Sequence, residues 1–304
     1  VKVGLVTTTD VSVLVDDVDR PVVDAAFAAR GIGVDRAAWD DPSVDWAGYD
    51  LVVVRSPWDY PERLEAFLRW LEDVGNLPTF HNPGPLIRWN LDKRYLDDLA
   101  MRGVPIVPTR FASDATGLAD ALLAGARGAP ELVVKPSISA GSRLTGRFTS
   151  GSAAAADLGG RILDLGLTAM VQPFASSVDT RGEHSAVMFD EELSHTFRKG
   201  PILGDEGRLR GDTYIEEVSP VALSRTEHRV VAEASAASTQ VAFERGWLRS
   251  GEQMLYGRFD LVTLDDGTVA LLEAELFEPC FFLPVDPSSA DRFVDAVVRR
   301  ITSG

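Results

Sequence analysis

The chain has 304 residues, 45% of them hydrophobic and 25% charged, values ordinary for a globular protein whose length allows a sizeable core in about two units. A formal net charge of −16 argues against nucleic acid and anionic membrane surfaces as partners, because both would repel it. The single cysteine, Cys280, excludes an internal disulfide framework, and no apolar run approaches the roughly 18 residues of a membrane span.

The opening Val1-Lys2-Val3-Gly4-Leu5-Val6 reads as a strand, too short and too β-branched for a signal peptide, which points to a cytoplasmic location. A buried strand is predicted over 2–8 and a helix from Pro21 to the stop at Gly31. A second buried strand is predicted over 50–55, and a helix from Pro61, with Leu64, Phe67, Leu68 and Leu71 on one face, ending at Gly75. This alternation predicts a small open parallel sheet, whose loops after the strand ends hold ligands. Those loops are Thr7-Thr8-Thr9-Asp10 and Arg55-Ser56-Pro57-Trp58-Asp59-Tyr60.

His81-Asn82-Pro83-Gly84-Pro85 reads as a turn-rich connector and a first boundary. A helix is predicted over 91–101, carrying Asp92 and Lys93. Mixed strands and helices follow, with strands over 132–135 and 169–174 and a helix over 153–165. Pro173 cannot donate to a ladder, so the second of these strands is an edge or a chain exit. A hairpin is predicted across Asp190-Glu191-Glu192, a long helix over 225–245, a second hairpin turning at Asp265-Asp266-Gly267, and a last helix over 290–301. Hairpins with helices on top indicate α+β architecture for this larger part.

The second hairpin is the most informative stretch. Side chains on a strand alternate faces, so Arg258 and Asp260 point one way and Glu273 and Glu275 share a face on the partner strand. In register, all four share one face. Three carboxylates there repel one another unless a cation neutralises them. Oxygen donors without His or Cys suit Mg²⁺, which also takes phosphate oxygens, and an adjacent arginine suits a phosphoryl group in transfer. The competing reading is a solvated strand face, against which stands the apolar run from Glu278-Pro279-Cys280 to Leu283 that follows. Cys280 itself reads as a buried, inert thiol.

Lys135 ends an apolar strand and needs an anion. The small residues Ser137 to Ser142 after it can lay backbone N–H groups on phosphates, with Arg143 and Arg147 adding positive charge. The Gly-Lys-Ser/Thr ending of a P-loop is absent. An ordinary surface loop with a snorkelling lysine is the alternative. Lys93, Gln172-Pro173-Phe174, Glu183 and the pair Arg198-Lys199 are weaker candidates, for phosphate, a purine edge, ribose and phosphate in turn.

In this order the motifs resemble the ATP-grasp superfamily, which includes D-alanine ligases and glutathione synthetases. The resemblance runs through Asp92-Lys93, Val134-Lys135-Pro136 with its Ser/Gly loop, Gln172-Pro173-Phe174, Gly182-Glu183, Gly257-Arg258-Phe259-Asp260 and Glu273-Ala274-Glu275. It implies α/β and α+β structure: a small parallel-sheet (pre-ATP-grasp) domain over 1–82, then an ATP-grasp domain over 83–304, with a lid at about 108–170 and a catalytic part at about 171–304. By resemblance, Lys93 and Lys135 bind ATP phosphates, Ser139, Gly141 and Ser142 cover them, and Gln172 to Phe174 meets adenine. Glu183 meets ribose, Asp260, Glu273 and Glu275 hold two Mg²⁺, and Arg258 with Lys135 serves catalysis. Many relatives carry Glu-x-Asn where this chain has Glu273-Ala274-Glu275, which keeps an oxygen ligand and adds charge. The stretch between Gln172 and Glu183 departs from the short acidic motif that relatives often have.

The implied reaction activates a carboxylate as an acyl phosphate, which an amine attacks, giving ADP and phosphate. Arg55, Asp59 and Thr8 are the expected contacts to a small amino-acid-like substrate, with Arg55 on its carboxylate and Asp59 on its amine; an Arg55–Asp59 surface pair is the alternative. The strings Ile87-Arg88-Trp89-Asn90 and Glu273 to Pro279 resemble a subgroup of small actinobacterial ATP-grasp proteins. That subgroup includes the cyclo-ligase that closes O-ureido-serine to cycloserine. Intermolecular amino-acid ligation, phosphoryl transfer to another acceptor, and a nucleotide-binding module without catalysis stay open beside cyclisation. Relatives are often dimers, so a homo-oligomer is expected.

Overall fold

The computed structural model describes residues 1–15, 17–210, 216–249 and 251–304, apart from Gly304 and the side chain of Ser303. Strands β1 (Lys2–Thr7), β2 (Gly33–Ala38), β3 (Leu51–Val54) and β4 (Phe80–His81) form a four-stranded parallel sheet in the order β2-β1-β3-β4. Helices α1 (Arg20–Ala29) and α2 (Leu64–Val74) link them. Leu51 and Val53 face one side of the sheet and Val52 and Val54 the other, all fully buried, as parallel strands covered on both faces require. β1, β3 and both helices stand where the sequence predicts them; β2, whose polar Asp35 and Arg36 hide the pattern, and the two-residue β4 are additional.

Helices α3 (Gly84–Asn90) and α4 (Tyr95–Ala100) follow. The predicted single helix over 91–101 is therefore corrected, since its first turn is broken. The Asp92 carboxylate accepts from the Arg94 N–H at 3.1 Å, and the Lys93 N–H leaves the helical pattern to donate to Ser137 O at 2.9 Å. Such side-chain competition for backbone donors interrupts helices.

A second sheet joins β5 (Arg110–Ala112), β6 (Glu131–Pro136), β7 (Gly146–Thr149) and β8 (Ala169–Pro173) in the antiparallel order β5-β8-β6-β7. Helices α5 (Ala115–Ala126) and α6 (Ala153–Asp164) cover one face through Leu118, Ala121, Leu158 and Ile162. β8 is internal rather than an edge: β5 pairs with Ala169 to Val171 only, so Pro173 sits where the chain leaves the sheet.

After the short helix α7 (Ser177–Arg181), β9 (Glu183–Phe189), β10 (Glu192–Lys199), β11 (Val218–Pro220), β12 (Tyr256–Thr263) and β13 (Val269–Glu275) make an antiparallel sheet ordered β11-β10-β9-β12-β13. Helix α8 (Arg225–Glu244) starts in a Ser224/Glu227 capping box and packs Val230, Ala234 and Ala237 on this sheet. The same Glu227 carboxylate meets His184 Nδ1 at 2.7 Å, fixing α8 to β9. Helix α9 (Ser289–Ser303) puts Phe293, Val294 and Val297 into one core with Val3, Leu5, Val53, Phe189 and Phe281. The first and third sheets therefore share apolar packing and meet along a continuous wall.

Candidate active site

The register of β12 and β13 sets Arg258 opposite Glu275 and Asp260 opposite Glu273, so the four charges share a face as their alternation requires. Arg258 is buried and donates from Nε to Asp260 at 3.0 Å, from Nη1 to Cys280 O at 2.8 Å, and from Nη2 to Glu275 and Asp260. Two asparagines hold the strand ends. Asn90 donates to Ala274 O at 2.8 Å and accepts from the Leu276 N–H at 2.7 Å. Asn82 donates to Tyr256 O and Leu276 O and accepts from the Leu255 N–H. The connector and the string around Asn90 thus carry the two residues that aim the acidic strand.

This face looks into a cavity of about 540 Å³ walled by the second and third sheets and by the loop after β3. Lys93, Lys135, Ser139, Gly141, Ser142, Gln172, Phe174, Glu183, Arg258, Glu273 and Glu275 all line it, and Asp260 lies beneath, paired with Arg258 and Lys199. Lys93 reaches Glu273 at 3.0 Å and Ser139 O at 3.3 Å. In the loop after β6, Gly141 (φ 61°), Ser142 (φ 56°) and Leu144 (φ 52°) are left-handed. Gln172 donates to Thr109 Oγ1 at 2.9 Å, and its Oε1 is buried without a partner among the described residues. Lys199, half of the pair expected to reach phosphate, is buried between Glu183 (2.9 Å) and Asp260 (2.7 Å). Gly182 makes that approach possible: at φ 72°, a Cβ there would lie 2.1 Å from Lys199 O.

Burial opposes charge on every one of these groups, and neighbours decide the outcome. Glu273 overrides burial and raises the Lys93 pKa; Asp260 and Glu183 raise that of Lys199 further. Arg258 and Lys199 hold Asp260 below the usual carboxylate range against its burial, and Lys93 and Lys135 do the same for Glu273. Glu275 goes the other way: burial, with Glu273 and Asp260 nearby, outweighs Arg258 and lifts it to about 7. Lys135 is lowered by burial; it is 8% exposed and, among the described residues, has no hydrogen-bond or ion-pair partner.

Among the described residues no three metal-ligating side chains converge into a ready-made cage. The donor set nonetheless fits Mg²⁺. The ligands are carboxylates only, they repel one another, and Mg²⁺ is normally held by one or two carboxylates together with phosphate oxygens.

The first-sheet loops depart from expectation. Arg55, Asp59 and Thr8 do not line the cavity. Arg55 is buried against Asp19 at 3.0 Å, donates to Pro279 O at 3.0 Å and lies 3.7 Å over the Phe281 ring. Asp59 accepts from Trp39 Nε1 at 3.0 Å and from Arg63, and Thr8 accepts from the Asp10 N–H at 3.1 Å. Nor do Arg55 and Asp59 pair with each other. Of the two arginines assigned to the loop, Arg143 reaches it and pairs with Glu62 at 2.8 Å. Arg147 is taken up by Glu131 and Asp179 behind the Phe174 ring. The same loop after β3 does supply the cavity, through Trp58 and Tyr60. Cys280 borders it with a thiol pushed up by burial, the state of an unreactive cysteine.

A family model described as the N-terminal domain of D-cycloserine synthetase DcsG matches residues 3–82. The chain is 36% identical over 301 residues to the cycloserine biosynthesis protein DcsG of Streptomyces lavendulae, covering 98% of each. It superposes on the crystal structure of D-cycloserine synthetase DcsG with a TM-score of 0.89 at 33% identity, covering 99% of this chain and 100% of that one. On a D-alanine–D-alanine ligase from Bacillus anthracis complexed with ATP the TM-score is 0.67 at 12% identity, over 99% and 97% of the chains, a likeness of fold.

Proposed function

The chain belongs to the D-cycloserine synthetase (DcsG) family of ATP-grasp ligases, and from that premise we propose that it closes O-ureido-D-serine to D-cycloserine through an acyl phosphate, releasing ADP and phosphate, with the carbamoyl group of the ureido substituent lost to water as carbon dioxide and ammonia. That it is an ATP-dependent ligase follows from the family. The finer reading is supported by relatives named for cycloserine synthesis. The observation that carries it is Lys135: a buried ammonium without a protein partner, facing a cavity whose opposite wall is carboxylate. An isolated buried cation is costly, and a triphosphate is the complement that would relieve it.

In this reading Lys93 and Lys135 hold phosphate oxygens, and the loop carrying Ser139, Gly141 and Ser142 covers them with backbone donors. Phe174 and the chain exit at Pro173 flank the purine, with Gln172 Oε1 free to accept from an amino group, and Glu183 lies toward the ribose. Asp260, Glu273 and Glu275 would hold two Mg²⁺, which when bound neutralise charge on the transferring group. Arg258 is fixed on three sides, so its guanidinium is preorganised where charge develops. A carboxylate is a poor electrophile; as an acyl phosphate it has a good leaving group, and attack by the oxygen-bound nitrogen of the same molecule forms the ring C–N bond as phosphate departs, while the carbamoyl group on that nitrogen is lost by hydrolysis as carbon dioxide and ammonia. Burial of the site excludes the water that would waste the intermediate.

The test is phosphate release from Mg·ATP with a panel of amino acids including O-ureido-D-serine, for the native chain and Glu273→Gln. Release triggered by that substrate, a cyclic product by mass spectrometry, and a loss of about 10³-fold or more in the variant are expected. A dipeptide product would replace cyclisation by intermolecular ligation. A stable phosphorylated product would make the enzyme a phosphotransferase.

A further inference from the structure

Charge around the cavity is paired with two exceptions among its buried groups. Lys93 meets Glu273, Lys199 meets Glu183, Arg258 meets Glu275, and at the mouth Arg143 meets Glu62. Lys135 is the cation left over, and triphosphate is its complement. Glu278 is the carboxyl group left over: 9% exposed, lining the cavity and in no ion pair among the described residues, so that burial and the neighbouring Glu275 push its pKa well above the usual carboxylate range and leave it short of a cation. Glu216, the other lining carboxylate without an ion pair, is only half-buried, and water can solvate it.

The Tyr60 hydroxyl beside Glu278 favours its ionised form, and a carboxylate has about four acceptor sites to fill. Glu278 is also held still. Trp58 Nε1 donates to Glu278 O at 3.0 Å, Tyr256 Oη to Phe277 O at 2.9 Å, Arg55 to Pro279 O at 3.0 Å and Arg258 to Cys280 O at 2.8 Å. With the main chain fixed on both sides, the carboxylate cannot follow a partner out to solvent, so the partner must come in. A preorganised group of this kind marks a recognition position.

We infer that Glu278 receives the ammonium group of the amino-acid substrate, with the Tyr60 hydroxyl orienting its carboxylate. The assignment rests on the ligase reading above. An α-ammonium nitrogen lies about 2.5 Å from the carboxyl carbon it flanks, so its receiver must stand beside the groups that handle phosphoryl transfer. Glu278 follows Glu275 by three residues on the same wall and feels the charges of Glu275, Glu273 and Lys93. It is far in the chain from the purine-side residues Gln172 to Phe174. The two unpaired groups thus divide the substrates between them, phosphate to Lys135 and ammonium to Glu278.

The experiment compares O-ureido-D-serine with its des-amino analogue, 3-(ureidooxy)propanoate, on the full chain and on Glu278→Gln. Binding is measured by calorimetry with Mg²⁺ and a non-hydrolysable ATP analogue, and KM by phosphate release. Expected is a rise of at least about 30-fold in Kd and KM for the amino acid in the variant, with the affinity for nucleotide within twofold and the des-amino analogue bound equally by both forms. Two outcomes overturn the proposal: an equal loss for the analogue, or a fall in kcat at unchanged KM, which would make Glu278 a proton acceptor. If Glu278→Gln does not fold, the native chain decides alone, since it must bind the analogue at least about 30-fold more weakly than the parent; equal binding sinks the idea. Absence of phosphate release by the native chain would fail the ligase reading, while the binding ratio still reports on Glu278.

Discussion

The loop after β3 and the paired strands β12 and β13 both gather Arg, Asp and Glu at strand ends, and they use them differently. Around Arg55 the charges are consumed by the fold. Asp19 accepts from Arg55 and from the N–H groups of Phe281 and Leu283 at 2.6 and 2.8 Å, tying the start of α1 and the end of β3 to the segment that closes the cavity. Around Arg258 the charges also pair, but on a face open to about 540 Å³ of cavity, where, in the function proposed above, an incoming phosphate exchanges partners with them. In that reading, what separates a structural ion pair from a working one is the space in front of it, since both are buried and hydrogen-bonded.

Removing one partner of each kind breaks the comparison most sharply. Asp19→Ala leaves the Arg55 guanidinium buried and unpaired, at a cost of about 3–5 kcal/mol in folding stability by denaturant titration. Nucleotide affinity of the folded fraction should move by less than threefold. Lys135→Met should do the reverse. ATP affinity should fall by about 10–100-fold, or about 1.4–2.8 kcal/mol, while stability holds or rises, because a lone buried ammonium is gone. A loss of stability in Lys135→Met comparable to that of Asp19→Ala would place Lys135 with the structural charges.

Glu275 sharpens the contrast through pH. Its carboxyl is lifted from 4.5 to about 7, so the native state keeps a proton that the unfolded chain has already released. Its contribution to stability is therefore full below about 4.5 and is lost as pH rises to about 7. Glu275→Gln should gain stability relative to the native chain across that window and run parallel to it above. Mg·ATP should bind more tightly to the native chain as pH rises through the same window, releasing protons on binding. Thermal unfolding and calorimetry in two buffers of different ionisation enthalpy read the two effects. A stability difference that does not change between pH 4.5 and 7 would show that Glu275 is already ionised.

The same contrast explains what the sequence could disclose. Asp260, Glu273 and Glu275 were legible because strand alternation is local: two strands and an Asp-Asp-Gly turn fix which side chains share a face. Lys135 was legible because an ammonium at the end of Leu-Val-Val has few ways to be satisfied. Arg55 and Asp59 misled because their partners are remote. Asp19 lies 36 positions from Arg55, and Pro279 lies 224, and no periodicity reports either. Asn82 was hidden in a Pro/Gly connector whose composition signals a turn, although its side chain does the work of a clamp. Lys199 looked like a solvated strand end until β9 and β12 closed over it. Glu278 stood inside the string that carried the resemblance, but only the pairing of every other buried carboxylate around the cavity isolates it.

The smallest expected effect bears on the loop itself. Asp59→Asn keeps an oxygen for Trp39 Nε1 and removes one charge from Arg63, whose side chain is 40% exposed and retains Asp40 at 2.7 Å. An ion pair with so solvated a partner contributes about 1 kcal/mol or less, so stability should shift by no more than that. Turnover of O-ureido-D-serine should stay within about twofold, because Asp59 faces Trp39 rather than the cavity. If KM for the amino acid instead rises tenfold, about 1.4 kcal/mol, then Asp59 meets the substrate amine after all. The loop would then open during turnover, and the line between the two regions would be one of state rather than of place. An unchanged KM for Asp59→Asn beside a raised KM for Glu278→Gln would put amine recognition on the segment after β13.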